Sequence, residues 1–185
     1  MKYSLSLLSL SLVFLWGCST RNSQENTIAE DTRHLVRHNP TDRSYTTYFH
    51  ENYYDQLAIN NLMLFFTSEN EQETPKALGI IINHTRIDPM SIQQYQLIID
   101  GEEFIYTPQN LYTIDDPEKE KTIISCQDTL TSQSLEMVKD LINSEQAKII
   151  YIGENDSVSH ELDAKVKKQL SQVIEAYEAM GGELP

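Results

Sequence analysis

The side chains best suited to chemistry lie in three short stretches. His50-Glu51 and Tyr53-Tyr54-Asp55 gather a base, two acids and two phenols within six residues, a combination able to act as a general acid/base cluster. His84 stands in Asn83-His84-Thr85-Arg86-Ile87-Asp88, which follows a strand-like run and reads as a loop of mixed donors and acceptors. Strand-end loops are where binding groups often sit, although Asn83, Asp88 and Pro89 serve a plain turn equally well. His50, His84, Asp55 and Asp88 are therefore the candidate catalytic residues, with no motif joining them and no catalytic role assigned. His34 and His38 stand four apart, a spacing that chelates a metal from a helix face. Arg33 and Arg37 flank them, and nearby positive charge disfavours a bound cation. The acidic run Asp115-Asp116-Pro117-Glu118-Lys119-Glu120-Lys121 lacks the alternating ligands and central glycine of an EF-hand loop, so it reads as a solvated loop. Cys126 has neither a histidine nor an acid beside it in a nucleophile pattern, and reads as a small buried hydrophobe. Gly-x-Ser-x-Gly, the P-loop and the Rossmann glycine pattern are all absent. No cofactor and no metal ion is expected.

The elements that must position these residues are readable in part. Leu57 to Phe66, Leu78 to Ile82 and Thr122 to Cys126 are strand-like. Asp100-Gly101 separates two alternating runs, 95–99 and 102–106, the strong signal for a two-residue type I′ hairpin. That turn pairs Leu97 with Phe104 and Tyr95 with Tyr106 on one face and turns Glu103 to the other. Ser132 or Ser134 can cap a helix whose Leu135, Val138, Leu141 and Ile142 recur at helical spacing. Ala147 to Ile152 is a strand ending at Gly153. Leu162, Val166, Leu170, Val173, Ile174, Tyr177 and Met180 form the longest helical stripe, capped by Ser157 or Ser159 and stopped by Gly181-Gly182. Strands first and helices last argue an α+β class: a mostly antiparallel sheet of about five strands, covered on one face by two helices, the longest at the C-terminus. A right-handed βαβ crossover over 122–152 is the alternative, and would make the sheet mixed.

Charge and hydropathy divide the chain. It has 185 residues and a formal charge of −14. Residues 21–50 carry four basic and four acidic side chains, whereas 51–185 carry nine basic and 24 acidic, a net of −15. Such a surface repels phosphate, so nucleic acid is not an expected partner. At the N-terminus, Met1 and Lys2 precede an apolar run of about 12 residues, long enough for a signal-peptide core and short of the roughly 20 that span a bilayer. The run closes in Leu15-Trp16-Gly17-Cys18, followed by polar Ser19, Thr20, Arg21 and Asn22. This resembles the lipobox of bacterial lipoproteins: Leu15 matches the aliphatic position, Gly17 the small one and Cys18 the acceptor, while Trp16 departs from the usual small residue. The resemblance implies diacylglycerol on the Cys18 sulfur and cleavage before Cys18, with 1–17 a signal peptide; the polar, charge-balanced composition that follows makes 18–48 a flexible tether, and the pattern beyond makes 49–185 the globular domain. Ser19 after the cysteine resembles the outer-membrane sorting choice, where the source has an outer membrane. The C-terminal strand, small loop and helix resemble the ends of uncharacterised envelope lipoprotein domains, a likeness that brings no activity.

The expected protein is a lipid-anchored component of the bacterial cell envelope, held outside the cytoplasm. Its expected function is non-enzymatic: a binding domain for another envelope protein. The competing reading is a small hydrolase or metal-dependent enzyme built from the His50 and His84 neighbourhoods. Proximity of those histidines to each other, in a shared concave pocket with Asp55, Asp88 or Cys126, separates the two.

Overall fold

The computed structural model describes residues 32–38, 45–56, 60–69, 74–87, 90–116 and 120–185. Cys18, the signal and lipobox residues and Asp88 lie outside the described residues. Among the described residues, ten strands and three helices follow in chain order. The strands are β1 (Leu35–His38), β2 (Tyr45–His50), β3 (Asn61–Glu69), β4 (Pro75–Arg86), β5 (Ile92–Ile99), β6 (Glu102–Tyr106), β7 (Leu111–Asp116), β8 (Lys121–Thr129), β9 (Ala147–Gly153) and β10 (Ser157–Glu161). A one-turn helix α1 (Tyr53–Gln56) follows β2, α2 (Ser132–Asn143) follows β8, and α3 (Ala164–Ala179) ends the chain's regular structure.

The α+β class holds, but the strands form two sheets rather than one. A six-stranded sheet runs β1-β2-β3-β4-β8-β7 and a four-stranded sheet runs β10-β9-β5-β6. Every strand pairing among the described residues is antiparallel, and β8 and β9 belong to different sheets, so 122–152 is not a βαβ crossover. The strand alternation explains the layering. Leu62, Leu64 and Phe66 of β3 and Leu78, Ile80 and Ile82 of β4 enter one large core, while Met63, Phe65 and Ile81 face the opposite side with Phe49. That large core is closed from two directions. The four-stranded sheet covers β4 and β8, where the Tyr151 hydroxyl donates to the Asn83 carbonyl at 3.0 Å. Helix α3 covers β2 and β3, with the Tyr177 ring edge-on to Phe66 at 5.5 Å.

The hairpin is as expected: Tyr95 pairs with Tyr106 and Leu97 with Phe104. Asp100 and Gly101 both take positive φ, 48° and 91°, the demand of a type I′ turn. Elsewhere the boundaries move. Strand β4 runs on through Asn83, His84 and Thr85 to Arg86, so the expected loop there is strand. Pairing with β8 explains it, because Asn83, His84 and Thr85 meet Ser125, Ile124 and Ile123. Thr131 caps α2 instead of Ser132 or Ser134, with Ser134 answering as the third residue of a capping box. Asp163 caps α3, and the serines at 157 and 159 lie in β10. The domain also begins earlier than residue 49. Strands β1 and β2 fall in the stretch expected to be tether, and Thr46, Thr47 and Tyr48 are buried. Their β-branched and aromatic side chains find partners in β3, a pairing invisible in a local reading.

Candidate functional site

His50 and His84 do not share a site. They lie two strands apart and about four residues out of step along the sheet, roughly 15 Å by strand geometry. His50 ends β2 and is buried against α3, where its Nε2 meets Gln172 Oε1 at 3.2 Å. Because that oxygen can only accept, Nε2 carries the proton, and Nδ1 accepts from the Asn52 backbone N–H at 3.2 Å. Burial lowers its pKa; Gln172 and Glu51 oppose that shift, and His34 and Lys165 add to it. Asp55 sits exposed on α1, separate from these contacts.

His34 and His38, four apart in sequence, share no helix face: His38 ends β1, and His34 joins His50 and Glu51. The β1–β2 ladder does this, pairing Leu35 with His50 and tying the Glu51 N–H to the His34 carbonyl at 2.7 Å. His34 Nδ1 contacts Glu51 Oε1 at 3.1 Å, and the two imidazoles stack with centroids 6.0 Å apart. Arg33 Nε donates to His34 Nε2 at 3.1 Å.

His84 is fully enclosed between the sheets. Its ring stacks on Tyr151 at 4.5 Å, and Nδ1 meets Asn60 Oδ1 at 3.1 Å. Burial first, and Arg86 second, push its pKa down to about 4, so the ring is neutral and inaccessible. Cys126 is equally enclosed, with its thiol donating to Asp128 Oδ2 at 3.2 Å and its pKa raised by burial and by Asp128. A thiol held protonated is a poor nucleophile.

Asp128 is a polar hub that the sequence reading missed. Its Oδ2 accepts from the Tyr106 hydroxyl at 2.7 Å and the Gln109 N–H at 2.9 Å. Its Oδ1 accepts from the Asn110 N–H and side-chain amide, both at 2.9 Å. The signal was present: Ile124, Cys126 and Asp128 alternate on one face of β8, and an acid on an apolar face demands donors. The hub pins the 107–110 connection, so that β6 and β7 leave the same side of the domain as edge strands of the two sheets.

That side holds four of the six exposed large hydrophobics among the described residues, the other two being Tyr54 and Ile87. Ile105 (56% exposed), Leu111 (41%), Tyr112 (53%) and Ile114 (50%) all belong to β6 or β7. Beside them runs a groove of about 450 Å³ between β6 and the N-terminal half of α2, bounded by Phe104, Tyr106, Thr129, Thr131 and Met137. Successive β6 residues from Glu103 to Tyr106 line it, with Thr107 just beyond, as a strand seen edge-on does. A second concavity, about 870 Å³, lies at Asp100, Glu145, Lys148 and Glu161, where the Asp100 carboxylate accepts the Glu145 and Gln146 N–H groups. No family model matches this chain, and no curated protein or solved structure shows significant similarity to it.

Proposed function

We propose that the chain is a lipid-anchored envelope protein whose domain binds an extended segment of a protein partner along β6. The observation that carries this reading is the groove facing the free edge of β6 among the described residues. An unpaired edge offers backbone N–H and C=O groups to an added strand, and neighbouring pockets select its side chains. Five residues of strand give about 17 Å of pairing. Phe104 and Met137 supply an apolar wall, and the hydroxyls of Thr107, Thr129 and Thr131 supply polar anchors. The partner segment is basic, because Glu103 is the charged lining residue and residues 51–185 carry a net −15. The same charge disfavours a second copy of this chain as the occupant. Anchoring rests on the residues Leu15-Trp16-Gly17-Cys18; with two or three acyl chains it is firm, since each buried methylene adds about 0.8 kcal/mol.

The test selects nonapeptides from a random display library on the full chain in detergent. Selected peptides should be extended and basic, and should protect the amides of residues 102–107 from hydrogen exchange. Glu103→Lys and Ile105→Lys, both exposed, should weaken binding at least tenfold without changing the melting temperature. Protection at another surface, or unchanged affinity in both variants, defeats the reading. Separately, Cys18→Ser should abolish incorporation of labelled fatty acid; a wild-type chain that takes up none is not lipid-anchored.

A further inference from the structure

We propose that His34, His50 and Glu51 form a binding site for a divalent ion of the zinc type. Their donor atoms all lie within 4.8 Å of one another. The 3.1 Å separation of His34 Nδ1 and Glu51 Oε1 matches an edge between two ligands each about 2.1 Å from one metal. Two imidazoles and a carboxylate suit Zn²⁺, with Cu²⁺ and Ni²⁺ as competitors and Ca²⁺ or Mg²⁺ excluded by the nitrogen donors.

The scaffold is the β1–β2 ladder. It presents His34 from just before one strand and His50 and Glu51 from the end of the next, so their closeness follows from backbone register. Gln172 supplies the outer contact that metal-bound imidazoles need: it accepts the His50 Nε2 proton, so Nδ1 keeps its lone pair, which now takes the Asn52 backbone N–H and which the ion must win from it. His50 is buried and fixed, while His34 and Glu51 lie on the wetter side and provide the adjustment that closes the site. Three protein donors leave a position open to water.

Binding changes one proton. His34 Nδ1 now carries a hydrogen shared with Glu51, since Nε2 accepts from Arg33. For Nδ1 to bind the metal, that proton moves to Nε2, which then can no longer accept from Arg33, so Arg33 turns away and is a competitor of the ion. This site is independent of the β6 groove and claims no catalysis.

The experiment titrates ZnCl₂ into the untagged, EDTA-stripped full chain in detergent by calorimetry, with Co²⁺ absorption as the geometric readout. One equivalent should bind with a roughly micromolar dissociation constant. Buried His50 risks misfolding when replaced, so the deciding variants are His34→Ala and Glu51→Gln, each expected to weaken binding by about 100-fold or more. His38→Ala should bind as the wild type does, and Arg33→Ala at least as tightly. Wild-type affinity retained in both deciding variants, loss of binding in Arg33→Ala, or no stoichiometric ion at concentrations about 100-fold above the expected dissociation constant overturns the proposal.

Discussion

His84 and Asp128 face each other's problem from opposite signs. His84 is buried with Nε2 unpartnered and a pKa lowered from 6.5 to about 4, so the unfolded chain takes up a proton more readily than the folded one. Stability from this residue is therefore intact above pH 6.5 and falls as pH drops toward 4, by about 3 kcal/mol in all. His84→Gln should flatten the pH dependence of urea midpoints across that window; an unchanged slope sinks the assignment. Asp128 also loses its contribution on acidification, at lower pH. Burial raises its pKa, but the donors from Gln109, Tyr106, Cys126 and Asn110 outweigh burial and hold it below 3.8. Its contribution is present above that value and is lost as pH falls through the lower folded pKa. Asp128→Asn sets an amide against several donors and should cost roughly 3 kcal/mol. A loss below 1 kcal/mol would mean that the hub does not hold 107–110.

At the scale of elements, the turn and the long helix each answer to one substitution. A Cβ on Gly101 meets nothing within 4 Å, so Gly101→Val isolates backbone strain at φ 91°. It should cost about 1–3 kcal/mol, and an unchanged melting temperature would rule out the type I′ turn. Leu170 is buried in α3 between β3 and α2, whereas Lys168 is exposed. Leu170→Ala should cost about 2–5 kcal/mol and Lys168→Ala less than about 0.5 kcal/mol, compared by urea melts. Both elements were legible because their signals are local: Asp100-Gly101 names its turn, and Val166, Leu170, Ile174 and Tyr177 repeat along one face. Strands β1, β2, β7 and β10 were not, because each is short or polar and becomes a strand only through distant partners. Tyr45 to His50 is rich in β-formers, yet its neutral, polar flanks read as tether. Asp115 and Asp116 drew β7 into an acidic loop, and the serines of β10 passed for helix caps. The same physics governs the sites: His50-Glu51 is visible as neighbours, whereas His34 reaches them only through register.

Across the whole molecule, the two sheets share one interior. Tyr95, Tyr151 and Cys126 are fully buried where the sheets meet. Unfolding should therefore be a single transition: Cys126 should become reactive toward a thiol reagent at the same urea concentration at which far-ultraviolet dichroism is lost. Reactivity that precedes the loss of dichroism would show the sheets parting first. The strand order carries a kinetic consequence. One sheet takes β1–β4 with β7 and β8, the other β5 and β6 with β9 and β10, so the chain crosses between them three times. Tyr95 waits 56 residues for Tyr151, and Ile82 waits 44 for Cys126. Loop closure must precede those pairings, which places such topologies among slow folders, in milliseconds to seconds. The six-stranded sheet has all its strands once Thr129 is made, but the four-stranded sheet waits for β9 and β10, up to Glu161. If the chain is exported unfolded, as the proposed anchoring at Cys18 implies, this delay keeps the four-stranded sheet unmade until translocation is under way.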